Sequence, residues 1–371
     1  MEEKAARPRI LFVVPLPPPV HGSAVVSQQI KDSRLIRNAF VCDFINLSTS
    51  RTMSEISQPR AIKLGRFLSS FSQLFWKLAT HRYDLCYLAI TCHGHGFLKD
   101  FPFVLLCKAF GNKTVIHQHN KGMSQDSRRW PYRFLLRLAY RDSSVILLSQ
   151  RLYPDIQEVV HPENVLVCPN GIKIPESFSP KHSHEVPRLL FLSNLLISKG
   201  VFELLDALAI LQDKGCRYAC DFVGDETKEI THSYLLEEIK KRGLDHSVTC
   251  HGALYGEEKE RLWSQTDILV FPSYSECFPL VVLEAMAHGL PVITSDEGGI
   301  PDMVKDGWNG LICPKQDPVA LAACIQELIE DVGLRKQMGI NGLSKLRESF
   351  TEEVFEKRMA GILHLLTNRA D

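Results

Sequence analysis

The stretch Ser273–Gly289, Ser-Tyr-Ser-Glu-Cys-Phe-Pro-Leu-Val-Val-Leu-Glu-Ala-Met-Ala-His-Gly, constrains this chain more than any other. In front of it Ile268-Leu-Val-Phe271, closed by Pro272, reads as a buried strand running into a turn. Behind the turn a helix is expected. Pro279 suits its first position and Gly289 its C′ position. Leu280, Val281, Val282, Leu283, Ala285 and Met286 are apolar all round, so the helix is buried. Glu284 is the one charge in that run, and a carboxylate is expensive to bury alone. Glu276 precedes it in the loop over the helix N-terminus, where the macrodipole favours anions. The two acids flank a strand-to-helix crevice, the place where open α/β sheets bind ligands. Alone, they fit a satisfied core acid and a surface loop acid equally well.

The surrounding string says more. Glu-x7-Glu, with Phe278-Pro279 after the first acid and Ala285-Met-Ala-x-Gly289 after the second, resembles the nucleotide-sugar signature of retaining GT-B glycosyltransferases of family 4. Pro291-Val-Ile-Thr-Ser-Asp-Glu-Gly-Gly-Ile-Pro301 and Asp306-Gly-Trp-Asn-Gly-Leu-Ile312 continue the resemblance without a gap. It implies an α/β chain of the GT-B class, two Rossmann-like domains facing a central cleft, with the nucleotide held mainly by the second. The resemblance is dense from about Arg188 onward and sparse before it.

Taken in order, Arg9–Val14 is a buried strand leading into a Pro-rich loop with Gly22 and a helical stretch from Ala24 to Lys31. A glycine loop between a strand and a helix is a phosphate site by geometry; a rigid connection explains the same residues. The resemblance sets Gly22 under the donor diphosphate. Strands are expected at Phe40–Ile45, Leu85–Ala89, Thr114–His117, Val145–Leu148 and Val165–Cys168, alternating with helices, hence a parallel sheet. Phe67, Phe71, Leu74, Phe75 and Leu78 recur at helical spacing beside Lys63, Arg66 and Lys77. That is a core-facing stripe with a solvated basic face, the alternative being an interfacial membrane contact. Cys92-His-Gly-His95 has too few ligands for a closed zinc site and reads as a loop. His117 and His119 end a strand on the same side of its pleat. The resemblance makes His119, then His117, the residue facing the donor sugar. Arg129, Arg133, Arg137 and Arg141 recur every four residues and read as one helical stripe, either solvated or meeting an anionic partner.

The resemblance also assigns Asn170 in the Pro-Asn-Gly turn, and Gly252 in the strand bordering the base. Relatives carry Gly-Arg where this chain has Ser193-Asn194, while Lys199-Gly200 is retained. One cation of the diphosphate clamp is therefore replaced by Asn194, a neutral donor. The domains are expected at 1–175 and 188–350, with a Pro/Ser/His-rich linker at 176–187. A helix at 351–371 is expected to cross back to the first domain.

Composition narrows the class. Lys+Arg and Asp+Glu are both 43, so net charge gives no reason to expect nucleic acid. No run approaches the ~20 apolar residues that span a bilayer. The polar start reads as no signal peptide, and 11 scattered cysteines read as reduced thiols in a cytoplasmic setting. The resemblance implies a reaction that moves a sugar from a nucleotide-diphosphate sugar to an acceptor hydroxyl with retention, in cell-envelope polysaccharide or glycolipid synthesis. The acceptor is a saccharide or lipid-linked saccharide, and an anionic inner membrane face is a candidate partner. Glu276, His119 and Lys199 are the catalytic candidates. Gly22, Asn194, Lys199, Cys277, Phe278, Pro279, Leu280 and Glu284 are the donor-binding ones. No cofactor is expected, and no Asp-x-Asp metal pair is evident. A nucleotide-sugar epimerase, a phosphorylase, or a non-catalytic partner subunit are the rival readings.

Overall fold

The computed structural model describes residues 7–48, 60–175 and 184–368. Residues 176–183 of the expected linker, and the last three of the expected final helix, lie outside the described residues. Contacts divide the chain into two units: Met1–Gly171 with Glu352–Asp371, and Ile172–Thr351. Residues 172–175 fall with the second unit because the Ile172 N–H donates to Phe350 O at 3.0 Å.

The first unit holds six parallel strands, β1 (Arg9–Val14), β2 (Val41–Asn46), β3 (Leu85–Leu88), β4 (Thr114–Gln118), β5 (Ser143–Leu147) and β6 (Val165–Val167). Their order is β2-β1-β3-β4-β5-β6. Strand positions follow the apolar runs to within a residue or two. The largest departure is at β5, which starts at Ser143 rather than Val145. Ser143 is buried there because its hydroxyl meets that of Thr114 on the neighbouring strand at 2.7 Å, a satisfied polar pair that an apolar pattern does not signal.

Alternation in the pleat sends successive side chains to opposite faces. On one face Ile10, Phe12, Tyr87 and Ile146 share a core with Val26, Ile30 and Ile36 and with Phe355, Met359 and Leu363 of the helix Glu352–Asn368. On the other, the helix Arg60–Thr80 packs on Gly94–Ala109, which packs on Tyr132–Tyr140. Phe67 and Phe71 meet Phe103 edge-on, at 5.2 and 5.6 Å, while Leu74 and Leu78 are buried beneath. Phe75 departs from the expected stripe and stays 45% exposed.

The arginine stripe is corrected here. Only Arg133 and Arg137 lie on the helix Tyr132–Tyr140. Pro131 precedes that helix, and the residue before a proline is pushed out of the α region. Arg129 therefore sits in the turn before, against Asp126 at 4.0 Å, and Arg141 caps the end beside Asp142 at 3.3 Å.

The second unit repeats the plan with β7 (Arg188–Leu192), β8 (Ala219–Val223), β9 (Val248–Gly252), β10 (Ile268–Phe271), β11 (Val292–Ser295) and β12 (Gly310–Cys313), all parallel. Their order is β12-β11-β10-β7-β8-β9, which reverses direction between β7 and β10. Leu189, Phe191, Phe222, Val270 and Ile293 form the core with the helices Val201–Asp213 and Pro318–Glu330. Asp317 caps the latter, accepting from Val319 N and Ala320 N at 3.1 and 2.9 Å. In the Trp308-Asn-Gly310 turn, Asn309 is fully buried. Its Oδ1 accepts from Lys305 N at 2.7 Å and its Nδ2 donates to Met303 O at 3.0 Å. Among the described residues no helix is long and apolar enough to cross a membrane.

Candidate active site

In an open parallel sheet, ligands bind beyond the carboxyl ends of the strands where the order reverses. In the second unit that point lies between β7 and β10. The loop after β7 makes a short turn, Ile197–Lys199, and Gly200 then opens the helix Val201–Asp213 at φ +80°. A Cβ on Gly200 would stand 2.5 Å from Pro272 O. Only glycine therefore lets the β7 loop press against the end of β10. Two groups staple the two loops. Tyr274 N donates to Ser198 O at 3.0 Å, and the buried Ser273 hydroxyl stands 3.2 Å from Ser198 O and 3.0 Å from Glu276 Oε1. Lys199 Nζ, brought over by this stapling, forms an ion pair with Glu276 Oε1. The two side chains are only 19% and 10% exposed, so the pair is largely desolvated and costly to break from one side.

The loop after β11 supplies the other wall. Gly298, at φ +55°, lies so close to Glu276 O that a Cβ would collide with it. Gly299 N donates to Cys277 O at 2.6 Å. Glu297 is 4% exposed; its Oε1 accepts from Glu276 N at 3.3 Å while its Oε2 pairs with Lys315. A line of charge thus runs Lys199–Glu276–Glu297–Lys315 along the crevice.

The helix behind it is Leu280–Ala287, and no side chain caps its N-terminus. Pro279 is the cap, at φ −69° and ψ 122°, rather than the expected first helical residue. Its extended ψ keeps the Cys277–Phe278–Pro279 chain against the Gly298 loop. Cys277 and Phe278 are buried, and the Phe278 ring stands 5.6 Å from that of Phe350. Leu280 is half-buried at the head of the helix. Gly289 is at C′ with φ +64°.

Glu284 differs from expectation. It is neither deeply buried nor alone: its side chain is 28% exposed, and Lys259 Nζ reaches both its oxygens, at 2.8 and 2.7 Å. Nothing in the apolar run announces Lys259, which comes from the helix Gly256–Gln265. Ser273, Glu297 and Lys315 were also missed as site groups, although Glu297 stands inside the Ser-Asp-Glu-Gly-Gly string.

Asn194 is exposed in the β7 loop, whose strand end is held by Ser193 N donating to Val223 O at 3.0 Å. Gly252 ends β9, and its carbonyl accepts from Gly224 N at 2.9 Å.

The first unit carries a second candidate region. A cavity of about 300 Å³ opens at the carboxyl ends of β1, β3 and β4, lined by His21, Ser48, Thr91, Lys99, Asp100 and His119 among others. Gly22 begins the helix Gly22–Asp32 beside this cavity and is itself exposed, with open space over its Cα. His21 Nδ1 caps that helix, accepting from Ala24 N at 3.4 Å. Asp100 is buried, accepts from Thr91 N at 3.0 Å, and lies 3.3 Å from Lys99 Nζ.

The two histidines do share a side: their ring centroids are 4.1 Å apart. They are not equivalent. His117 lies within β4, fully buried, with Nδ1 bonded to the Tyr87 hydroxyl. His119 lies just past the strand and reaches the cavity. Burial, then the neighbouring His21, pushes the His119 imidazole down to about 3. Burial and His119 hold His117 well below the usual histidine range. Burial and Lys99 lower His21. All three therefore face neutral pH as uncharged rings. Asn170 is 3% exposed at the end of this unit.

Residues 173–345, nearly the whole second unit, match the family model described as glycosyl transferases group 1. The chain has the GT-B fold, and nearly the whole of its second unit is similar to the group 1 glycosyl transferases. Among curated relatives, the glycogen synthase of Mycobacterium tuberculosis is 26% identical over 70% of this chain and 64% of its own length. A D-inositol 3-phosphate glycosyltransferase of Streptomyces bingchenggensis is 38% identical over 57% of this chain and 50% of its own. The chain thus spans less than two thirds of these relatives. Among solved structures, sucrose-phosphate synthase from Thermosynechococcus elongatus superposes with a TM-score of 0.78 at 20% identity, over 97% of this chain and 99% of its own. Anabaena HepE in complex with UDP does so with a TM-score of 0.73 at 20% identity, over 96% and 100%.

Proposed function

We propose that this chain is a glycosyltransferase that moves a sugar from a nucleotide-diphosphate sugar to an acceptor hydroxyl with retention of configuration. The observation that carries the reading is the Lys199–Glu276 pair, desolvated at the β7/β10 switch point. A cation and a carboxylate held side by side are what a diphosphate joined to a polyol needs. Lys199 turns its charge to the phosphates as the nucleoside diphosphate leaves, and Glu276 accepts hydrogen bonds from the sugar hydroxyls. Glu284 serves the ribose diol as a two-oxygen acceptor, sharing its charge with Lys259. The uncapped N-terminus of the helix Leu280–Ala287, with the Cys277–Phe278 backbone before it, adds N–H groups to the developing negative charge. Asn194 contributes a neutral hydrogen bond where relatives have a cation. Gly252 and the Asn170 turn complete the reading as donor-side backbone.

In the first unit, the neutral ring of His119 suits sugar hydroxyls rather than phosphate, with His117 packed against it from within the strand, and the cavity that His119 borders suits a polar acceptor. Gly22 leaves backbone N–H groups of its helix open to an anion. With Lys199 and the helix terminus neutralising the leaving group, the reaction needs no metal. Retention without a protein nucleophile follows front-face attack by the acceptor hydroxyl itself. HepE is described in complex with UDP-glucose, and a protein of the amylovoran biosynthesis set is among the relatives. These favour a saccharide acceptor in polysaccharide or glycolipid synthesis; on this reading the acceptor is met in the cytoplasm at the inner membrane face.

The test is incubation of the chain with UDP-, GDP- and ADP-sugars, with and without saccharide acceptors, following free nucleoside diphosphate and the anomeric product by NMR. Release that requires an acceptor, with an unchanged anomeric configuration, is expected. Acceptor-independent conversion of the sugar would instead identify an epimerase.

A further inference from the structure

We infer that the outer helical layer of the first unit docks on an anionic lipid surface. This deepens the reading of a membrane-side acceptor, and rests on that reading only for what is met there.

Charge points first. The whole chain balances 43 basic against 43 acidic residues, yet residues 60–80 hold four basic residues and no acid, and 128–141 hold five and no acid. These two stretches flank the helix Gly94–Ala109 in one layer. Some of the charge is already used: Lys77 pairs with Asp43 at 2.7 Å, and Arg129 and Arg141 meet Asp126 and Asp142. Arg133 and Arg137 point outward from the helix Tyr132–Tyr140 with no acidic partner among the described residues.

Exposed apolar side chains accompany the arginines. Trp130 is 85% exposed in the turn before Pro131, and Phe134 is 60% exposed on the helix that follows, beside Arg133 and Arg137. On the helix Arg60–Thr80, Leu64, Leu68, Phe75 and Trp76 form one outward stripe, with Trp76 65% exposed. Tryptophan and phenylalanine left in water beside unpaired arginine form the pattern of a helix lying in a headgroup layer, rings at the acyl boundary and guanidinium groups on phosphate. A second copy of this chain is a poor occupant, because a net-basic face meeting itself in a two-fold contact sets like charges together. A nucleic acid duplex, its bases already stacked, would use the arginines but leave the aromatic stripe in water.

The experiment is sedimentation of the full chain with vesicles of phosphatidylcholine alone and of phosphatidylcholine with phosphatidylglycerol. Binding to the anionic vesicles only, weakening as salt rises, is expected. Arg133→Gln/Arg137→Gln should lose about thirtyfold in partition, at roughly fivefold per basic residue. Trp130→Ser/Phe134→Ser should also release the protein, including at low salt. Nucleotide-sugar binding and the melting temperature are measured on the same variants and should not move, which separates this result from the fate of the transferase reading. Equal partitioning of wild type and both variants, no partitioning at all, or tighter binding to duplex DNA than to vesicles overturns the inference.

Discussion

The two units are built on one plan and finished in opposite ways. Each is a six-stranded parallel sheet with helices on its faces, and each gathers polar residues beyond its strand ends. In the second unit the switch point is charged: Lys199, Glu276, Glu297 and Lys315 stand in line, locked by Ser273 and by glycines that nothing larger can replace. In the first, the corresponding region is a cavity bordered by the neutral imidazoles of His21 and His119, with the buried His117 packed against His119. A diphosphate donor needs fixed charge, whereas sugar hydroxyls need neutral groups that can both donate and accept. The contrast is the division of labour expected of a transferase, and it can be broken at either end.

The largest effect should come from Lys199→Ala. Removing a donor that meets leaving-group charge costs roughly 10²–10³ in turnover. The variant also leaves the Glu276 carboxylate largely buried without its cation, so its melting temperature should fall. Wild-type turnover in a folded Lys199→Ala would end the claim for the charged switch point.

Glu276→Gln should lower turnover roughly 10–100-fold, the cost of a charge-assisted hydrogen bond of ~1.5–3 kcal/mol, while affinity for the free nucleoside diphosphate changes little. Parallel losses in both quantities would move Glu276 from the sugar to the nucleotide. Glu284→Gln should weaken nucleoside diphosphate binding about tenfold. A 2′,3′-dideoxy analogue should bind wild type and variant alike, and any difference there would mean that Glu284 acts through Lys259 instead.

The first unit is probed by pH. A histidine held neutral has a folded pKa below its unfolded value. The unfolded chain therefore takes up the proton first as pH falls, and stability drops from about 6.5 downward. For His119 the window runs from about 6.5 to about 3. Each such ring contributes a slope of up to ~1.4 kcal/mol per pH unit. His119→Asn should flatten the stability profile across that window in chemical denaturation. An unchanged slope would mean that the ring is solvated and charges freely.

Legibility in the sequence followed the same contrast. The apolar runs located every strand of the first sheet and the central strand β10 of the second, because parallel strands are buried on both faces and need little else; β11 and β12 were not read as strands. Around β10 the string from Ser273 to Ile312 named the family, since turn glycines and fixed acids occur there at set spacing. What it could not show was which charges meet. Lys259 reaches Glu284 from a helix 25 residues upstream, and Lys315 reaches Glu297 from the next strand end. Both are surface-type residues in sequence and become site groups only through the fold. The arginine stripe failed because a four-residue period was read straight through Pro131. Lys99 and Asp100, inside a mostly apolar helix, gave no sign that they border a cavity.

The central claim is that the Lys199–Glu276 crevice is a nucleotide-diphosphate site. Calorimetric titration of UDP, GDP and ADP into wild type and Lys199→Ala tests it most directly. One nucleotide should bind wild type, with affinity reduced about tenfold or more in the variant, as loss of a charge-assisted contact of ~1.5–3 kcal/mol requires. Binding of equal strength to both proteins, or binding of none of the three to wild type, would contradict the account.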